Sequence, residues 1–275
     1  MTKTAPLAEL RANLRWTRAS YALMSGFVLL ILLIMYVWWP LVTEYFALFN
    51  PAVPLWRQLD WLLINIFLFM SVMIMAGADI KTDLPIIVVG LVGGLVIESW
   101  GTQTNLWHYY TNERPPLWII PAWPIAALSI DRMVRFLRLA AQRIPQAAFL
   151  WLHWLILPAF FLLMLFFVAP TFGRSLTLAA LVLCAFLIAT PTDARVAVLN
   201  FIAGAGLGYY LELWGTTRLT WIYYTLEQPP LFAVLAHGMA AVAFWRVVHL
   251  YNTFKPALVN QLSKLRGAGL ALSSK

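Results

Sequence analysis

Charge is what this chain has least of. Asp, Glu, Lys and Arg together supply 11% of its 275 residues, against about 25% in a soluble domain. That shortage excludes an ordinary water-soluble globule. With apolar residues at 62% and a mean hydropathy of +0.79, the bilayer is the expected solvent. Cysteine is nearly absent as well. Cys184 is the single one, inside an apolar run, which excludes an intrachain disulfide and a cysteine-built zinc or iron–sulfur centre. It reads as a small buried residue. Histidine occurs only four times, and the chain holds no HExxH, no His-rich iron box, no Walker loop and no GxSxG. Zinc protease, di-iron desaturase, ATPase and serine hydrolase chemistries are therefore set aside. No metal site and no cofactor are expected, with one option kept open: His153 and His249, both near cytoplasmic helix ends, as axial ligands of a b-type haem.

Long apolar runs dominate what remains. Eight are near the ~20 residues that a bilayer demands, at about 21–40, 59–78, 84–100, 116–131, 149–170, 175–190, 196–214 and 229–251. The first is too long for a signal-peptide core and lacks a small-residue cleavage site after it, so it reads as a retained anchor. Residues 1–20, with Lys3, Arg11, Arg15 and Arg18 beside Leu7, Leu10 and Leu14, fit an interfacial amphipathic helix. Placing the N-terminus inside puts fifteen of the nineteen basic residues on the cytoplasmic side and leaves Arg57, Arg114, Arg174 and Arg218 outside. Both termini are thus expected in the cytoplasm of a bacterial-type inner membrane. The positive balance is a topology signal with headgroup contact, and nucleic acid is not an expected partner. Protein partners are not legible.

One stretch is written twice. ESWGTQTNLWHYYTNERPPL begins at Glu98 and ELWGTTRLTWIYYTLEQPPL at Glu212, and residues 98–132 laid on 212–246 give 16 identities in 35 gapless positions. The constant offset of 114 also pairs Gly90 with Gly204, Gly94 with Gly208 and Asp79 with Asp193. A duplication follows. Each half carries four expected spans, an even number, so both insert the same way round. The expected fold is all-α: a polytopic membrane protein of about eight helices, built as two parallel four-helix repeats about a pseudo-twofold along the membrane normal. Its parts are an interfacial helix (1–20), the first repeat (21–131), a basic cytoplasmic linker (132–148), the second repeat (149–251) and a cytoplasmic tail (252–275).

The repeat also holds the candidate chemistry. Glu98 and Glu212 sit near the outer end of the third span of each half, and a carboxyl group at membrane depth is by default a functional candidate. They are expected as proton donor or charge stabiliser, the alternative being that each caps its turn. The aromatic residues around them, Trp100, Trp107, Tyr109, Tyr110 and Trp123 with Trp214, Trp221, Tyr223 and Tyr224, form either an interfacial belt or a cradle for an apolar or cationic species. Where the copies differ, one half has specialised: His108 aligns with Ile222, and Trp123 with His237. His237 lies eight residues past Pro229, about 12 Å along a helix, at a depth comparable with Glu212. A Glu–His pair there suits proton transfer, so His237 and His108 join the two glutamates as candidate catalytic residues. Asp79 and Asp193, each two residues before a base, read as helix caps or structural pairs.

Glu98-Ser-Trp-Gly101 through Tyr110 to Pro115, and Glu212-Leu-Trp-Gly215 through Tyr224 to Pro229, resemble the Glu-x-x-Gly, aromatic turn and Pro of hydratase-type membrane proteins of carotenoid biosynthesis. The resemblance implies a long isoprenoid-like substrate. Trp107 and Trp221, and the internal duplication, depart from that pattern. Three functions are compatible with these features: an enzyme acting on a lipid or isoprenoid by acid–base chemistry, a transporter of lipids or small molecules, and a non-catalytic subunit of a membrane complex.

Overall fold

The computed structural model describes the backbone of residues 4–273 and the side chains of residues 8–256. It is an all-α architecture apart from one short ladder. In chain order the elements are α1 (Thr4–Leu14), α2 (Arg18–Val37), α3 (Trp39–Ala47), α4 (Trp61–Met75), α5 (Ile80–Gln103), β1 (Trp107–Tyr109), α6 (Ala122–Ala140), α7 (Gln146–Val168), α8 (Ser175–Ala189), α9 (Ala194–Thr217), β2 (Trp221–Tyr223) and α10 (Leu231–Ser273).

Capping residues place the helix starts. Thr17 and Ser20 exchange side chain–backbone bonds (3.3 and 2.8 Å) at the head of α2, a reciprocal box that satisfies two free amides. The same two hydroxyls donate to Ala78 O and Met75 O (3.0 and 2.6 Å), pinning α2 to the end of α4. Asp60 caps α4 through the Leu63 amide (3.2 Å). Asp79 and Asp193 cap α5 and α9 through the amides of Lys81 and Val196 (3.0 and 3.1 Å), which fulfils the capping expectation for both.

Five helices are long and apolar enough to cross a membrane: Ala8–Val37, Ile80–Gln103, Gln146–Thr171, Ala194–Thr217 and Leu231–Pro256. These correspond to five of the eight expected spans. Two more, α4 and α8, are apolar but have 15 residues each, about 22 Å at 1.5 Å per residue, short of the ~30 Å hydrocarbon layer. The remaining one, α6, differs in kind. It begins at Ala122 rather than near residue 116, and it continues through Arg132, Arg135 and Arg138 to Ala140, so much of the stretch expected as a linker (132–148) is helix. The reason is a buried charge cluster. The Arg132 guanidinium is 1% exposed and bonds Asp83 on α5 (2.7 Å) and Asp131 (2.6 Å), while Arg135 reaches Asp131 (2.7 Å).

The core is organised around α9. It packs along α10 and also against α4, α6 and α7. Its apolar window is 61% buried, whereas that of α2 is 11%, so α9 is the inner helix and α2 a peripheral one. Large apolar side chains on the outer surfaces, including Leu29, Leu32, Val92, Val96, Phe166 and Val182, are exposed, as expected of helices whose solvent is hydrocarbon.

Candidate functional site

The two copies of the duplicated stretch meet. After Gln103 and after Thr217 the chain turns through a residue with positive φ, Asn105 (59°) and Leu219 (56°), and enters a three-residue strand. β1 and β2 then pair antiparallel, with Trp107 opposite Tyr223, His108 opposite Ile222 and Tyr109 opposite Trp221. The flanks extend the exchange: the Tyr110 amide donates to Thr220 O and the Tyr224 amide to Leu106 O, both at 3.1 Å. Rings alternate across the ladder, with Trp107–Tyr223 and Tyr109–Trp221 centroids both 5.7 Å apart.

Each strand turns its tryptophan back onto its own glutamate. Trp107 Nε1 donates to Glu98 Oε2 (3.0 Å) and Trp221 Nε1 to Glu212 Oε2 (2.8 Å). The approach is close because each indole crosses a glycine. A Cβ added to Gly101 or to Gly215 would lie 2.0 Å from that ring. The other carboxylate oxygen is where the halves differ. Glu98 Oε1 accepts from Trp123 Nε1 (3.2 Å), and the Tyr109 hydroxyl also lies on this carboxyl group. Glu212 Oε1 accepts from Tyr223 OH (2.9 Å) and contacts His237 Nε2 (2.9 Å). Both glutamates are 4% exposed, and an indole can only donate. Each carboxyl group is therefore an acceptor fully engaged by the protein.

Trp123 and His237 occupy matched positions on α6 and α10 and lie face to face, with centroids 5.4 Å apart and planes 15° from parallel. The rings pass over Gly94 and Gly208, where an added Cβ would come within 2.3 Å of Trp123 and 2.5 Å of His237. Gly208→Ala is expected to cost about 1–3 kcal/mol through overpacking, seen as a lower unfolding midpoint in detergent. Gly206→Ala on the same helix, where an added Cβ meets nothing within 4 Å, is the control and should be neutral or slightly stabilising.

The other expected residues make no side-chain hydrogen bond to either carboxyl group among the described residues. His108 sits at the centre of β1 and is exposed, with no side-chain partner among the described residues. Trp100 and Trp214 stand edge-on to Trp107 and Trp221 (5.8 Å each), but their indole N–H groups reach across to the opposite half, to Thr177 (3.1 Å) and Asp60 (2.9 Å). They tie the halves together. Tyr110 packs on Trp118 (6.1 Å). Tyr224 donates to Phe167 O (2.6 Å), and burial, followed by nearby Glu227, pushes its phenol above the ordinary range. His153 is buried with Nε2 on Ile188 O (3.0 Å), whereas His249 is exposed and stacks on Trp245 (5.7 Å). No group of three or more metal-ligating side chains occurs among the described residues.

Thr102 and Thr216, which bond Glu98 O and Glu212 O at 2.6 Å, were legible as duplicated positions but were not singled out. Asp83 and Thr177 carried no duplication signal, since position 83 aligns with Ala197 and position 177 with Leu63. No family model, no curated protein and no solved structure matches this chain.

Proposed function

We propose that the chain is an integral membrane enzyme that performs acid–base chemistry on an apolar, lipid- or isoprenoid-like substrate. His237 carries the proton and Glu212 orients the imidazole. One observation carries this reading: the 2.9 Å contact between His237 Nε2 and Glu212 Oε1 inside a network whose other members at the two carboxylates are indole and phenol donors. His237 is the one group among them whose ring has one nitrogen that can give a proton and another that can take one.

The geometry supports a division of labour. A carboxylate on Nε2 fixes the tautomer and leaves Nδ1 as the working nitrogen. Nδ1 has no hydrogen bond among the described residues, and His237 retains 16% of its side-chain surface, against 5% for Glu212. The imidazole is thus the open end of a closed network. In the forward direction the imidazolium gives its Nδ1 proton to an alkene or oxygen of the substrate and is left as the Nε2–H tautomer; in the reverse the bare Nδ1 takes a proton up. Trp123 stacks on the imidazole (5.4 Å) and Phe244 packs edge-on against Trp123 (6.0 Å), an aromatic surround whose quadrupoles suit a positive charge carried by the ring. Exposed apolar flanks on α5 and α10, such as Val92, Val96 and Val247, suit a substrate arriving from hydrocarbon.

The same reading takes the halves as two parallel four-helix repeats about an axis along the membrane normal, eight spans in all, with both termini cytoplasmic. The self-matching register of β1 and β2 supports it. The functional test compares lipid extracts of cells carrying the protein, Glu212→Gln, His237→Gln or an empty vector. A lipid or isoprenoid species should be converted with the unaltered protein, and conversion should fall about 10²-fold or more in His237→Gln. Unchanged conversion in both variants overturns the assignment.

A further inference from the structure

We propose that the two halves build one acid–base site rather than two, and that Trp123 is a positioning residue which the first half contributes to the second. This rests on the reading of Glu212 and His237 as the reacting pair. The duplication supplies two glutamates in equivalent surroundings, each with an indole on Oε2, a tyrosine hydroxyl nearby and a threonine on its backbone carbonyl. Only one of the two has an imidazole on Oε1. At the other the matched position is Trp123, which cannot exchange a proton at this nitrogen under physiological conditions.

Trp123 nevertheless touches the reacting ring. Its plane lies 15° from that of His237 at 5.4 Å, so the indole opposes the turn about Cβ–Cγ that would tip the imidazole out of that plane and exchange its two edges. That confinement aims Nε2 at Glu212 and holds Nδ1 away from it. Trp123 is itself fixed: Nε1 is tied to Glu98 Oε1 (3.2 Å), its flank is closed by Phe244 at 66°, and its base lies against Gly94. A continuous chain therefore runs Glu98, Trp123, His237, Glu212 across the contact between halves. Glu98 acts through Trp123 as an anchor. The groups that face the ends of this chain are Trp221 and Tyr223 at Glu212, and Trp107 and Tyr109 at Glu98.

The experiment is a double-variant comparison on the full chain in detergent, read by the ring resonances of His237 in nitrogen-15-histidine NMR. With four histidines in the chain, His237→Gln assigns the signal. Glu98→Gln, two side chains removed, should shift the His237 resonances, and the shift should vanish in a Trp123→Phe background, where the tie to Glu98 is already cut. Trp123→Leu should abolish the upfield displacement of the imidazole protons that a stacked indole produces. Equal effects of Glu98→Gln with and without Trp123, or none at all, overturn the proposal. Where lipid conversion is detected, Trp123→Leu should reduce it by about 10²-fold through misorientation, with partial recovery in Trp123→Phe, which keeps a ring face. Loss of conversion in no variant, with the NMR coupling intact, would sink the enzymatic reading and leave the coupled chain standing. Trp123→Phe keeps an aromatic ring at the position, so the test does not depend on the leucine variant folding.

Discussion

Asp83→Ala is expected to cost about 3 kcal/mol of stability, the lower end of the range for breaking a buried ion pair. Asp83 is fully buried, and its Oδ2 accepts from both Arg132 (2.7 Å) and the Asp79 amide (2.9 Å). Removing it leaves a guanidinium with 1% exposure supported by Asp131 alone, which is why the low end applies. The cap of α5 loses a bond at the same time. A second ion pair supplies the contrast. Arg218 and Asp60 join the head of α4 to the tail of α9 at 2.8 Å, but Arg218 is half exposed, so Arg218→Ala should cost no more than about 1 kcal/mol. Both can be followed in detergent by the reaction of a thiol-specific dye with Cys184, the sole and half-buried thiol, as temperature is raised. Equal midpoints for the two variants would contradict the account of α6 as a helix held by its buried charge.

Trp221→Ala is expected to be at least as damaging, at about 3–5 kcal/mol for the lost ring plus about 1–3 kcal/mol for the carboxylate oxygen left without its donor. Trp221 is 7% exposed, lies against Gly215 and packs on both Tyr109 and Trp214. Trp221→Phe narrows the comparison, since it keeps an aromatic ring and most of the volume while removing the N–H to Glu212 (2.8 Å) with part of the indole. Its cost should be about 1–3 kcal/mol. If the phenylalanine variant were as stable as the unaltered chain, the hydrogen bond would be incidental and the carboxylate would draw on its other donors.

The sequence showed the cluster's membership better than its construction. Glu98, Glu212 and the aromatic residues stood out because a duplication repeats whatever the geometry requires, and the same offset marked Asp79 and Asp193, which do cap α5 and α9. Trp123 and His237 stood out for the opposite reason, as a mismatch inside a matched frame. Their stacking was not legible, because it depends on how α6 and α10 approach across the interface and on two glycines whose role appears only once the rings are placed. Periodicity also misjudged α6. A hydropathy window counts Asp131, Arg132 and Arg135 as the end of a span, while the fold neutralises Arg132 against Asp83, 49 residues away. His108 carries the same mismatch signal as His237, yet it is exposed at the midpoint of β1, opposite Ile222. A difference between copies marks freedom to diverge as readily as specialisation.

The ladder between β1 and β2 has a consequence for how such a chain assembles. Each strand finds its hydrogen-bonded neighbour only in the other half, and the register, with His108 opposite Ile222 at its midpoint, is self-complementary. Two identical copies of a single half would meet in the same way, strand to strand, as an isologous pair. A lone half would leave that strand's amides and carbonyls without the partner they have here, an edge that the self-complementary register would let a second copy cover. Fusion of the copies keeps that contact while freeing each side of it to change on its own, and a stacked pair of unlike rings at Trp123 and His237 is a form that a dimer of identical chains, bound to repeat every residue, is unable to adopt.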